Sequence, residues 1–220
     1  MDSVFEKITL YDILGYLLPG SVLMLLLLFG TGPEAILGYL EKWSLENGFL
    51  YFVFFLASYL VGIALSELMT RVWKYASRVR SRLFKGRNGN RKRIEENYSP
   101  EQIAVGLHKM GIEDGATDPT TIVTDFRQRY MRQIYGVIQG KEDYKRIHNY
   151  ASAYVLYKNV TGALGIGTIY ILINTGRSYL MFCMTCLFLA MVFAVRAERF
   201  QNKKEDYAIV WFMEEVTKNI

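Results

Sequence analysis

The chain has few of the residues that carry most enzyme chemistry. Two histidines, His108 and His148, and two cysteines, Cys183 and Cys186, are all that 220 residues contain. Neither histidine stands in an R-x4-H or H-E-x-x-H context, so no nuclease or metalloprotease centre is nominated. The cysteines spell C-x-x-C across Cys183-Met184-Thr185-Cys186. They lie inside an apolar run, without a second pair or a nearby histidine. A zinc site wants four ligands and a redox motif wants a thiolate that water can reach, so packing is the reading. No G-x-S-x-G and no P-loop occur. Gly165-Ile166-Gly167 follows no strand and precedes no Lys-Ser/Thr, which removes the nucleotide-loop reading. Glu113-Asp114-Gly115-Ala116-Thr117-Asp118 lacks the ligand order of an EF-hand and its bidentate Glu. No strand pattern and no internal repeat stands out. The sequence nominates no enzyme, no cofactor and no metal.

Charge is missing too, and its absence is organised. Ile13–Gly30, Asn47–Ser66, Val160–Gly176 and Ser178–Val195 carry no charged side chain, in a chain that is 51% hydrophobic and 15% aromatic. Each run has about the 17–25 residues that a helix needs to cross a bilayer. One soluble core would not require four of them. The expectation is an all-α polytopic membrane protein with four transmembrane helices, at about 11–30, 49–68, 159–176 and 178–196. A cleaved signal peptide is not expected, because Asp2, Glu6 and Lys7 precede the first run and no A-x-A follows it.

The remaining charges give a topology. Of 26 Lys and Arg, 18 lie between runs two and three, five follow run four and Lys7 precedes run one, leaving Lys42 and Arg177 for the other side. The positive-inside rule then puts both termini and residues 69–158 in the cytoplasm. The first outer loop, Thr31–Gly48, is short and acidic, and the second is a turn at Gly176-Arg177. Trp43, Tyr51 and Tyr179 suit the outer interface and Trp73 the inner one.

The cytoplasmic segment is expected to be basic and helical, with a net charge of +9 from 18 basic and nine acidic side chains. Its first part contains Arg71, Lys74, Arg78, Arg80, Arg82, Lys85, Arg87, Arg91, Lys92 and Arg93 and no acid. Val72, Ala76, Val79 and Leu83 recur at helical spacing, so run two should continue as an amphipathic helix until Gly86-Arg87-Asn88-Gly89-Asn90. Ten cations exceed what orientation needs. Anionic phospholipid, at about 1 kcal/mol per cation near the leaflet, is one ligand they suit. A cytoplasmic partner protein is another, and nucleic acid a third that no motif supports. Helices should follow from Ser99-Pro100 with Ile103, Leu107 and Met110, and from Asp118-Pro119 with Ile122, Phe126, Tyr130 and Ile134. A further stripe, Tyr144, Ile147, Ala151, Tyr154 and Val155, runs into span three. Residues 197–220, with Phe200, Tyr207, Trp211 and Glu214, are expected to form a last amphipathic helix folding back on the cytoplasmic bundle.

Within the spans, Pro19-Gly20 is the expected kink or hinge, since proline removes a donor and clashes with the preceding turn. Small residues should mark helix contacts: Gly62 with Ser66 in span two, and Gly162, Ala163 and Gly167 in span three. Asp12, Glu67, Lys158 and Arg177 all lie toward span ends, and none is near mid-bilayer. A proton- or ion-coupled transporter would place charge there, which weighs against that class. Asn174 and Thr161 are weaker polar candidates.

At Tyr11-Asp12-Ile13-Leu14-Gly15-Tyr16-Leu17-Leu18-Pro19-Gly20 an aromatic-Asp stretch enters Pro-Gly at the head of span one, and Arg196, Arg199, Phe200 and Tyr207 follow span four. In this layout the chain resembles small bacterial four-span proteins found beside antiphage systems, such as the membrane subunit of the Kiwa system and membrane accessory proteins of RNA-targeting CRISPR loci. The resemblance covers the layout of the whole chain and rests on those two short motifs. It implies a homo-oligomeric inner-membrane component that senses infection or perturbs the membrane beside a cytoplasmic partner. It carries over no catalytic residue. An ion channel or pore-forming effector, and a non-catalytic scaffold, are the alternatives.

Overall fold

The computed structural model describes residues 13–32, 38, 48–83, 105–106, 131, 134–138, 144–176 and 178–218. Almost all of them are helical. A π-helical turn, Ile13–Leu17, leads directly into α1, Leu18–Gly30. Three long helices follow: α2 at Gly48–Leu83, α3 at Tyr144–Thr175 and α4 at Leu180–Lys218. Each of the three is long and apolar enough to cross a membrane, and α1 is a shorter apolar helix.

Local chemistry explains the boundaries. Pro19 sits in the first turn of α1, so its missing N–H breaks no bond within α1. The π-helical turn lies immediately before Pro19-Gly20. At the far end, the Thr31 amide and hydroxyl both donate to the Leu28 carbonyl. α3 stops at Gly176, which takes a left-handed φ of +59° while its amide donates to the Leu172 carbonyl at 3.1 Å. That is a glycine C-cap, and it lets α4 begin after four residues. α4 contains no Gly or Pro from Leu180 to Lys218. Nothing interrupts it, so residues 197–218 continue the helix of the fourth apolar run instead of forming a separate one.

The chain divides into two compact units, Met1–Arg78 with Ser152–Phe200 (unit 1), and Val79–Ala151 with Gln201–Ile220 (unit 2). In unit 1, α1 and α3 share two buried clusters. Leu26, Val160, Leu164, Ile171, Cys183, Cys186 and Ala190 join α1, α3 and α4. Leu23, Leu65, Met69 and Ala163 join α1, α2 and α3. Aromatic contacts close the periphery: Phe29 against Tyr179 and Phe182, and Tyr157 stacked between Phe193 and Phe200. Unit 2 buries Met131, Ile134, Ile138, Ile147, Ala208, Ile209, Phe212 and Val216 in one cluster.

The outer faces of unit 1 carry large apolar side chains. On α2, Phe49, Phe52, Leu56 and Leu60 are exposed, Phe49 at 76%. On α4 the exposed positions include Met181, Met184, Phe188 and Met191, Met181 at 87%. Soluble monomers rarely expose a continuous apolar surface of this extent.

Candidate functional site

Two glycines let α1 and α2 meet backbone to backbone. A methyl group added at Gly20 would overlap the Ser58 carbonyl, and one added at Gly62 would overlap the Tyr16 carbonyl. Ser58 itself is fully buried, and Tyr16 meets Tyr59 edge to face at 6.2 Å. The small pair at this crossing is therefore Ser58 with Gly62. Ser66 is half-buried, and its carbonyl accepts the Thr70 hydroxyl. On α3, Gly162 lies against Met69, Gly167 against Leu26, and Ala163 is fully buried among Leu23, Leu65 and Met69. Gly62, Gly162, Ala163 and Gly167 thus all occupy interhelical contacts inside unit 1.

Pro19 creates a second requirement. In a regular helix its N–H would bond the carbonyl four residues back, at Gly15. Proline has none to give. Asn159, fully buried on α3, supplies it: its side-chain amide donates to the Gly15 carbonyl at 2.7 Å. The bond gives this carbonyl, which proline cannot serve, a donor from another helix. The carbonyl oxygen of the same Asn159 side chain is buried with no hydrogen-bond partner among the described residues.

The neighbouring residue, Lys158, joins α3 to α2. Its side chain is 4% exposed, donates to the Thr70 hydroxyl at 2.8 Å and lies 5.6 Å from the centre of the Tyr154 ring. Beside it on α2 the basic series begins. Arg71 Nε contacts Glu67 Oε1 at 3.1 Å, and Lys74 and Tyr75 are exposed. Positions 71, 74, 78 and 82 recur at three and four residues along α2, placing them on one face of the helix. Arg80 is on the same helix off that row. Lys85, Arg87, Arg91, Lys92 and Arg93 lie outside the described residues, as do the helices expected from Ser99 and from Asp118, apart from short pieces at 105–106, 131 and 134–138.

Unit 2 has a cluster of cations on aromatic rings. Tyr150 stacks on Tyr207 at 5.3 Å, Lys203 lies 6.0 Å from the Tyr150 ring and Lys204 5.4 Å from that of Tyr135. Burial pushes the Lys204 ammonium below the usual lysine range, and Glu205 partly offsets this.

Cys183 and Cys186 are free thiols packed in the α1–α3–α4 cluster. His148 is exposed. Among the described residues no group of three His, Cys, Asp or Glu could hold a metal. Asn174 is exposed and bonds its own helix at the Tyr170 carbonyl; Thr161 bonds the Tyr157 carbonyl and reaches Ala190 of α4 at 3.4 Å. Sequence reasoning missed Ser58, Asn159 and the role of Lys158. One signal was available: a proline within an apolar run requires an outside donor for the carbonyl four residues before it. No family model, no curated protein and no solved structure matches this chain.

Proposed function

We propose that the protein is a four-span bacterial inner-membrane component that acts by self-assembly and by recruiting a cytoplasmic partner, without catalysis. Ile13–Gly30 serves as the short fourth span beside the three long apolar helices, and both termini face the cytoplasm. The observation that carries the membrane part is the surface of unit 1. Phenylalanine, leucine and methionine cover its exterior, and glycines, Ser58, Asn159 and Thr168 stand among the leucines of its interior. Packing of small residues and interhelical hydrogen bonds hold helices together when lipid removes the hydrophobic drive between them. The run of cations that begins at Arg71 supports recruitment, either of an acidic partner or of anionic lipid. The resemblance at residues 11–20 and 196–207 supports a place in antiphage defence.

Reporter fusions after Gly32, Gly89 and Gly176 test the topology. Cytoplasmic activity at Gly89 alone is expected; periplasmic activity there contradicts the reading. Arg78, Arg80, Arg82 and Arg87 changed together to Glu should abolish co-purification of a cytoplasmic partner or enrichment of anionic lipid, and unchanged recovery of both opposes recruitment. A second reading, an ion channel or pore-forming effector, draws on the buried polar side chains Ser58, Asn159 and Thr168. Absence of ion flux in proteoliposomes under any trigger removes it.

A further inference from the structure

We propose that Glu67 is a two-position acceptor, held by Arg71 in this structure and passed to Lys158 when the phosphate of an anionic phospholipid takes Arg71. The proposal rests on the reading that the basic end of α2 meets an anionic leaflet, and it names how that contact is sensed.

Three observations converge on one turn of α2. Lys158 is the buried cation of unit 1, and among the described residues no carboxylate lies within ion-pair distance of it. A hydroxyl and an aromatic face are its partners. Such a site leaves an ammonium only partly compensated, and a carboxylate would hold it better in a low dielectric. Glu67 lies three residues before Thr70 on α2, one turn from the hydroxyl that holds Lys158. It is engaged instead by Arg71, one helical turn away, in a pair whose side chains are 66% and 78% exposed. Pairs that open to water are worth about 0–1 kcal/mol, so an external anion competes readily for the arginine. Guanidinium binds phosphate in a bidentate fork, which favours the transfer. Thr70 sits between the two acceptor positions. Its hydroxyl donates to Ser66 and accepts from Lys158, so it is what Lys158 releases on turning to Glu67.

The exchange moves side chains only: a glutamate rotamer and the four-carbon stem of a lysine. Its effect lands on packed elements. Met69 and Trp73, on either side of Thr70, belong to the cluster that joins α2 to α1 and α3, and Asn159, the donor to the Gly15 carbonyl, is the next residue after Lys158. Headgroup contact at the helix surface would thus reach the turn of α3 that holds the first span.

The test uses full-length protein in nanodiscs of phosphatidylcholine or phosphatidylglycerol, with thermal unfolding read for E67Q, R71M, K158M and the double variants. In phosphatidylcholine the 67–71 pair should be the more strongly non-additive, with 67–158 coupled only weakly. In phosphatidylglycerol the non-additivity should move to 67–158. Coupling that stays with 67–71 in both lipids overturns the switch. Trp73 emission in a W43F/W211F background reads the same step without touching the charges. A spectral shift on moving from phosphatidylcholine to phosphatidylglycerol is expected, and identical spectra oppose the proposal. Inorganic phosphate added to phosphatidylcholine nanodiscs should leave the spectrum unchanged; a full shift with phosphate alone assigns the trigger to a soluble anion and overturns the lipid source. Phosphatidylglycerol co-purification with R71Q/K74Q separates the layers. Lost enrichment with no coupling shift in the parent sinks the switch and leaves the lipid reading standing, whereas unchanged enrichment shows that Arg71 does not hold the headgroup and overturns the switch.

Discussion

Unit 1 and unit 2 are both helical, yet they differ in what stands beside the large apolar side chains of their cores. Unit 2 buries Ile134, Ile138, Ile147, Ile209 and Phe212, large side chains whose removal from water supplies the drive to pack. Unit 1 buries Leu23, Leu26, Leu65, Met69, Leu164 and Ile171 as well, but among them lie Gly20, Gly62, Gly162, Ala163, Gly167, Ser58, Asn159 and Thr168, and further phenylalanines, leucines and methionines cover its outer faces. With unit 1 in lipid, as proposed above, the contrast follows from solvent. Where lipid surrounds a helix, a leucine gains little by turning inward, and close backbone approach with matched hydrogen bonds decides which helices touch. Where water surrounds it, apolar area decides.

The contrast breaks most completely at the α1–α2 crossing. Gly20→Leu and Gly62→Leu each drive a side chain into the facing backbone, and we expect loss of the monodisperse species in detergent size-exclusion chromatography. In unit 2, Phe212→Ala should lower stability by about 3–5 kcal/mol, read by thermal or denaturant unfolding. The equivalent truncation of exposed Phe188 in detergent should cost far less, because no protein neighbour is lost.

A third variant sharpens the role of hydrogen bonding in unit 1. Asn159→Leu leaves the Gly15 carbonyl without its donor and should cost about 1–3 kcal/mol. Pro19→Ala restores an N–H four residues after Gly15, so the cost of N159L should shrink in the P19A background. Equal costs in both backgrounds would show that Asn159 acts by packing alone.

The smallest expected effect is electrostatic and belongs to unit 2. The folded-state pKa of Lys204 lies below the ordinary lysine value of 10.5. The unfolded chain therefore binds more protons between the two values, and stability from this group rises as pH climbs through that window. Lys204→Met should flatten the rise in unfolding temperature on the alkaline side, with little change in its slope near neutrality.

Much of the helical layout was legible because charge-free runs are long and unambiguous. The continuation of α2 through Arg71 to Leu83 could be read from Val72, Ala76, Val79 and Leu83, which keep the helical period after the apolar run ends. The register of contacts was harder. In the last stretch Phe200, Tyr207, Trp211 and Glu214 marked a stripe, yet the buried row is Ala208, Ile209, Phe212 and Val216, beside it. Aromatic and aliphatic residues stand on adjacent rows of this helix, and the sequence alone does not say which row faces the core. For span two, Gly62-x3-Ser66 and Ser58-x3-Gly62 are equally good small pairs on paper, and only the path of α1 across α2 selects Ser58. Asn159 was harder still: Pro19 marks the Gly15 carbonyl as wanting a donor, but nothing in the sequence says which residue, 144 positions away, supplies it.

The central claim is that the exposed apolar faces of α2 and α4 in unit 1 contact lipid. Single cysteines at Phe52, Leu60, Met184 and Phe188, with Thr217 as the water-facing reference, can be tested in native membranes in a C183A/C186A background with a membrane-impermeant maleimide. The account predicts rapid labelling at position 217 and none at the other four. Labelling of 60 and 188 as fast as 217 would contradict it.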